Sequence, residues 1–176
     1  MEMKFYATAT SITAVAPSDL SGDATTVQVI SGTDASNSVV VAIFTASPGL
    51  FSVDGSGLGQ GYIQNADGSL NTPTNPATPG DRITIFATGV GGVTFDQGYA
   101  VTHSEVSVLV NGLYCAGPAE GFPGDVYKLT VYLPSLATLV ANNPGLANLK
   151  VPAQLGVILR LDGAPSQNGL AISIAH

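Results

Sequence analysis

Residues 154–175 read QLGVILRLDGAPSQNGLAISIA. Leu155, Val157, Leu159 and Leu161 fall at every second position, with Gly156, Ile158 and Arg160 between them, Asp-Gly and a Pro-Ser-Gln-Asn cluster interrupt the run, and Leu170, Ile172 and Ile174 then alternate again. A period of two broken by turn residues is the mark of paired strands with one face turned to a core. The pattern spreads outward from here. DRITIFATG sets Ile83, Ile85 and Ala87 on one face, SEVSVLVNG sets Val106, Val108 and Val110 together, and VYKLTVYLP does so for Tyr127, Leu129, Val131 and Leu133. KFYATATSITAVAP and TTVQVIS read as strands near the N-terminus, and NSVVVAIFTA is apolar on both faces. Only PSLATLVANNPGLANL suits a short helix, over Leu136 to Ala141, ended by Pro144-Gly145. Many short strands with regular turn signals predict an all-β protein, an antiparallel β-sandwich.

The strand pattern recurs. SITAVAPSDL…ATTVQVISGTDASNSVVVAI, early in the chain, follows the same order as YKLTVYLPSL…AQLGVILRLDGAPSQNGLAISI near its end. Both run strand, Pro-Ser, connection, strand, Gly-containing turn, Ser-Asn or Ser-Gln, strand. The late copy has two further strands before it, whereas the early copy has only Met1 to Met3. This predicts a partial, half Ig-like unit over residues 1–50, a Gly/Asn/Pro-rich connecting segment with a hairpin over 51–79, and a complete Ig-like sandwich over 80–176. A half-sandwich cannot close its own core. Its apolar faces are expected to dock on the second unit or on another chain, and its open sheet edge invites homo-oligomers by strand addition.

Composition narrows the function. Of 176 residues, 45% are hydrophobic and 10% charged, with five basic against twelve acidic side chains and a net charge of -7. The basic residues Lys4, Arg82, Lys128, Lys150 and Arg160 are scattered one at a time, which excludes nucleic acids and anionic membranes as partners. No apolar run approaches a membrane span. A surface of Ser, Thr, Asn, Gln and Gly is the style of secreted and cell-surface β-proteins. The start, MEMKFYATA, lacks the parts of a signal peptide, so the chain is either intracellular or a piece of a longer exported protein. The second is expected, with an extracellular or cell-surface location.

ASPGLFSVDGSGLGQGYIQNADGSLNTPTNPATPGDRITIFATGVGGV, residues 46–93, resembles the centre of an uncharacterised C-terminal domain family abundant in secreted acidobacterial proteins. The shared pattern is Pro-Gly-Leu-Phe, Gly-Gln, Asn-x-Asp-Gly-Ser, Asn-Pro-Ala, Pro-Gly-Asp and a strand ending Thr-Gly. YCAGPAEGFPGDVYKLTVYLP and GAPSQNGLAISI are similar to its later segments, and FYATATSITAVAPSDL to the strand before its Pro-Gly-Phe motif. The resemblance covers nearly the whole chain, apart from an atypical Cys115. It implies an exported Ig-like β-sandwich at the end of a larger protein, with other domains as partners, and it implies no activity.

Chemistry-bearing groups are few. The stretch DGSGLGQGYIQNADGSLN, Asp54 to Asn71, has glycines at 55, 57, 59 and 61, but a dinucleotide fingerprint needs a different spacing between a strand and a helix. A P-loop needs a lysine, and none lies between Lys4 and Lys128. Asn65, Asp67, Ser69 and Asn71 alternate oxygen-bearing side chains with Asp54 nearby, so calcium is the one candidate cofactor. An EF-hand, however, wants Gly where Leu70 stands and Glu where Pro76 stands. As a hairpin the stretch is explained by Asp67-Gly68 in a type I′ turn. There is no Gly-x-Ser-x-Gly elbow for His103 to serve, no spacing selects a carboxylate pair, and lone Cys115 forms neither an intrachain disulfide nor a cysteine metal cluster. No catalytic residue is expected. Without Trp, carbohydrate recognition falls to aromatic residues: Tyr114 and Phe122 flanking the Cys-Ala-Gly-Pro loop, Tyr132 on the outer face with Lys128 and Thr130, and also Tyr62 and Tyr99. The expected function is a non-catalytic structural or adhesive module, with a carbohydrate- or calcium-dependent binding module or a self-assembling surface subunit as alternatives.

Overall fold

The computed structural model describes residues 5–17, 19–96, 99–115, 126–148 and 152–175. Among the described residues the fold is all-β and sandwich-like, with one short α-helix. It divides into two compact units, Met1–Thr45 and Ala46–His176.

In the second unit, alternation sorts side chains as the sequence predicts. Strand Arg82–Thr88 pairs antiparallel with Tyr127–Tyr132, and on its other side with Gly49–Leu50 and Ile63–Gln64. A second sheet runs in the order Leu113–Cys115, Val106–Val110, Ala153–Leu161, Leu170–Ile174, Gly59–Gln60, the last pair parallel. Ile83, Ile85, Ala87, Leu129 and Val131 from the first sheet join Val108, Val110, Leu155, Val157, Leu159, Leu161, Leu170, Ile172 and Ile174 from the second in one buried cluster. Each such aliphatic side chain contributes about 1.5–3 kcal/mol when removed from water, so this layer of contacts holds the unit together. The helix spans Leu136–Asn142, capped by Ser135, whose Oγ accepts from Thr138 N at 3.2 Å, and it buries Leu139.

The segment 51–79, expected as a connector, belongs to the second unit, and the division falls after Thr45 instead of at residue 50. Leu50 is a core residue paired with Ala87. From there the chain shuttles between sheets: Gly59–Gln60 extends one, Ile63–Gln64 the other, and Ala77 bridges to Ile174. Gln167 fastens this arrangement, since its Oε1 accepts from Leu50 N at 3.0 Å while its Nε2 donates to Leu50 O.

Turn chemistry departs from expectation in one place. Asn111-Gly112 and Asp162-Gly163 both take positive φ and close two-residue hairpins between Val110 and Leu113 and between Leu161 and Ala164, as a type I′ turn requires. At Asp67-Gly68 only Gly68 does so, with φ 83°. Gly68 N donates to Asn65 O at 2.9 Å and Asn65 N to Ser69 O at 2.8 Å, so the loop is longer than a type I′ hairpin. The reason is that Asp67 Oδ1 accepts from Ser69 N at 2.9 Å, a local turn that keeps Asp67 itself at negative φ.

The first unit is built of hairpins. Phe5–Ala7 pairs with Ile12–Ala14, where a single strand was predicted. Thr8 makes the turn, its Oγ1 accepting from Ser11 N at 3.0 Å and its N donating to Ser11 O at 2.8 Å. Ala24–Val27 pairs with Val39–Ala42, and Ile30–Ser31 with Asp34–Ala35 at the tip. None of the residues 6–17 and 19–45 is buried, and Pro17, Thr25 and Ile43 alone are half-buried.

Candidate functional site

Hydrogen bonds dominate the Gly-rich stretch that opened the calcium question. Asn71 is fully buried, and its carboxamide makes four bonds. Its Oδ1 accepts from Gln60 Nε2 at 3.0 Å and Ser173 N at 2.8 Å, and its Nδ2 donates to Asn65 Oδ1 at 3.0 Å and Ser173 O at 2.8 Å. Asn65 Nδ2 in turn donates to Asn75 O at 3.0 Å. The oxygens that would ligate an ion therefore already serve protein donors at Asn65 and Asn71. Asp67 and Ser69 bond to each other, with Ser69 Oγ donating to Asp67 Oδ1 at 2.6 Å. That bond and the Ser69 amide hold the Asp67 carboxyl below its usual range. Among the described residues no three His, Cys, Asp or Glu side chains gather as a metal site would.

Asp54 organises the loop before it. Its Oδ1 accepts from Ser56 N at 3.0 Å, Ser56 Oγ at 2.7 Å and Ser52 Oγ at 2.9 Å. The Ser56 amide first, then the two hydroxyls, hold its carboxyl down to about 2, against an ordinary 3.8. A carboxyl more acidic in the folded than the unfolded chain stabilises the fold fully above the unfolded value, and that contribution is lost as pH falls through the folded one. The Ser56 and Gly57 amide resonances are accordingly expected to titrate with a midpoint near pH 2, well below the ordinary carboxyl value. In Asp54→Asn they should stay constant around that midpoint, and an unchanged titration in this variant would assign it to another group.

Cys115 ends an edge strand, half-buried, and packs against the core cluster. Burial pushes its thiol up to about 11, so little thiolate forms near neutrality. Labelling by an aromatic disulfide at pH 8 is expected to run at least about tenfold slower than for the same chain in denaturant; equal rates would contradict the burial.

Of the aromatic candidates, Tyr114 and Tyr132 stand on different sheets. Tyr114 is 68% exposed on Leu113–Cys115 of one sheet, and Tyr132 is 51% exposed opposite Arg82 in the other. Phe122 lies outside the described residues. His103 is exposed, its N donating to Gly92 O at 3.1 Å. A different group comes together instead: Phe51, Ser52, Tyr62, Phe86 and Val126 line a shallow, largely apolar hollow. Backbone pairing places them, since Phe51 N donates to Phe86 O at 3.3 Å and Tyr62 N to Phe51 O at 2.7 Å. The Tyr62 and Phe86 rings meet edge to face at 5.3 Å, and Lys128 Nζ lies 5.7 Å from the Phe86 centroid. The sequence held a signal for this: in RITIFAT the inward positions are Ile83, Ile85 and Ala87, which leaves Phe86 outward.

The first unit also exposes large apolar side chains. Val27, Val29, Ile30, Val39, Val40, Val41 and Phe44 are all exposed, Val40 by 72%. A two-stranded hairpin is marginal in water by itself. No helix among the described residues is long and apolar enough to cross a membrane. No family model matches the chain, and neither does any curated protein or solved structure.

Proposed function

We propose that the chain is a non-catalytic structural or adhesive module of an exported, cell-surface protein. The first unit carries this reading: none of its residues 6–17 and 19–45 is buried, while the second unit closes a core of its own. A folded sandwich joined to hairpins that lack a covering layer is suited to being held by, or holding, another β-structured surface. Low charge, a Ser/Thr/Asn/Gly surface and the motif resemblance described above support the exported location. Hydrogen exchange on the dilute full chain tests the reading. Amides of Ala24–Val27 and Val39–Ala42 are expected to exchange at least about a hundredfold faster than those of Ala153–Leu161. Equal protection in a dilute monomer would mean the surface is already covered, and would overturn it.

A second reading attaches to the aromatic hollow. Phe51 and Tyr62 are 40% and 41% exposed beside Phe86, and exposed rings of this kind stack on the apolar faces of sugars. Soluble oligosaccharides should then perturb the Tyr62 ring resonances, and Tyr62→Ala should abolish binding. An unperturbed spectrum across a panel of oligosaccharides would dismiss this reading.

A further inference from the structure

The sheet face that carries the aromatic hollow continues past it. Ile83, Ile85 and Ala87 belong to the core, as do Leu129 and Val131 and, one strand over, Ile63, so alternation turns the residues between them outward. Register sets those outward residues in three rows: Phe86 opposite Lys128, Thr84 between Thr130 and Gln64, and Arg82 opposite Tyr132. From the first row to the last the face runs about 13 Å at the rise of a strand. Aromatic rings therefore stand at both ends, Tyr62 with Phe86 at one and Tyr132 at the other, and a row of hydroxyls and a carboxamide lies between them.

The middle row differs from the other polar groups of this unit. Elsewhere carboxamides are engaged by protein, Gln60 with Asn71, Gln154 with Ser173 and Gln167 with Leu50. Among the described residues the Thr84 and Thr130 hydroxyls and the Gln64 carboxamide make no hydrogen bond to protein, although all three side chains are half-buried. They offer donors and acceptors side by side across three strands. Charges of both signs meet here. Arg82 and Lys128 are on the face, Asp54 accepts from Ser52 of the hollow at 2.9 Å, Asp67 lies in the loop after Gln64, and Asp81 precedes Arg82. Neither sign prevails, which matches an uncharged ligand.

We propose that this face binds an uncharged linear polysaccharide along the strand direction, one sugar stacked at the aromatic hollow and another on Tyr132, with hydroxyls of the intervening chain bonded to Thr84, Thr130 and Gln64. The proposal rests on the reading of the hollow as a sugar site and extends it. Ring, polar row and ring complement a chain whose units each present an apolar ring face and a rim of hydroxyls. An apolar peptide would cover the middle row without satisfying it, which is costly, and a polyanion would meet Asp54 at the hollow.

Ring resonances of the full chain, titrated with neutral β-glucan, xylan and mannan oligosaccharides as disaccharide and as hexasaccharide, test this. At least one hexasaccharide is expected to shift both Tyr62 and Tyr132, and to bind at least about tenfold more tightly than its disaccharide, because two linked contacts reinforce each other. Tyr132→Ala should lower hexasaccharide affinity by about tenfold, and Thr84→Val, which removes one hydroxyl, by about threefold or more. Both variants should leave disaccharide affinity and thermal melting unchanged. A hexasaccharide that shifts Tyr62 alone, with no gain over the disaccharide, would overturn the extended face and leave the hollow reading standing. A gain with length that Tyr132→Ala does not diminish would do the same. Shifts at Tyr132 alone, or at neither ring, would overturn both readings.

Discussion

Gly89→Ala is expected to destabilise the second unit by about 3–5 kcal/mol, read as a lowered midpoint in denaturant unfolding. Gly89 has φ 70°, and a Cβ added there would lie 1.8 Å from Ser47 O and 2.7 Å from Ser47 C. Both atoms are backbone, so no side-chain rotation relieves the clash. The strand end would have to part from Ala46–Leu50, giving up the 2.8 Å bond from Ser47 N to Gly89 O and the pairing of Thr88 with Gly49. Gly112→Ala provides the control. Gly112 also has positive φ, 79°, but an added Cβ there meets nothing within 4 Å. It should cost only about 1–2 kcal/mol, the intrinsic penalty of the left-handed region. Similar losses from the two variants would show that conformation, not close approach, makes Gly89 necessary.

Asn71→Ala is expected to cost about 3–5 kcal/mol, although the residue sits in a stretch that reads as surface turns. The substitution removes four hydrogen bonds and takes from Ser173 N, in a buried strand, its Asn71 acceptor, while Ser173 O keeps the bond from Ala77 N at 2.9 Å. Buried backbone groups left unsatisfied are among the costlier defects a fold can carry. Asn71→Asp separates the contributions, because a carboxylate keeps the acceptor role and loses the donors to Asn65 Oδ1 and Ser173 O. It should be destabilised at neutral pH and partly relieved on acidification, since protonation restores one donor. Wild-type stability for Asn71→Ala in a denaturant melt would remove Asn71 from the framework of the fold.

The strands were legible because their information is local. Ile83, Ile85 and Ala87 declare their face by alternation alone, and Pro144-Gly145 limits the one helical stretch. What escaped was non-local or cooperative. Nothing around Asn71 distinguishes it from Asn65 until Ser173 is brought beside it from the other end of the chain. Gln167, read as part of a turn cluster, secures Leu50 from the other end of the chain. The hairpin within KFYATATSITAVAP was hidden because Thr and Ser fit strands as well as turns, and the deciding bonds of Thr8 depend on side-chain geometry. The aromatic hollow needed three separate segments in register before Phe51, Tyr62 and Phe86 became neighbours.

The early and late hairpins repeat the same bonds, Ser36 N to Val29 O and Val29 N to Ser36 Oγ matching Ser166 N to Leu159 O and Leu159 N to Ser166 Oγ, and this bears on the chain as it assembles itself. Two segments carry the backbone pattern for a single position in the sandwich, so the position must choose by volume. Where the late segment supplies Leu155, Leu159, Leu161 and Leu170, the early one has only Thr25, Val29, Ser31 and Val39. Seating the early segment would leave a void at each of the four, at about 1 kcal/mol or more apiece. Side-chain volume at these four positions, leucine against threonine, valine, serine and valine, is what separates two segments that pair alike.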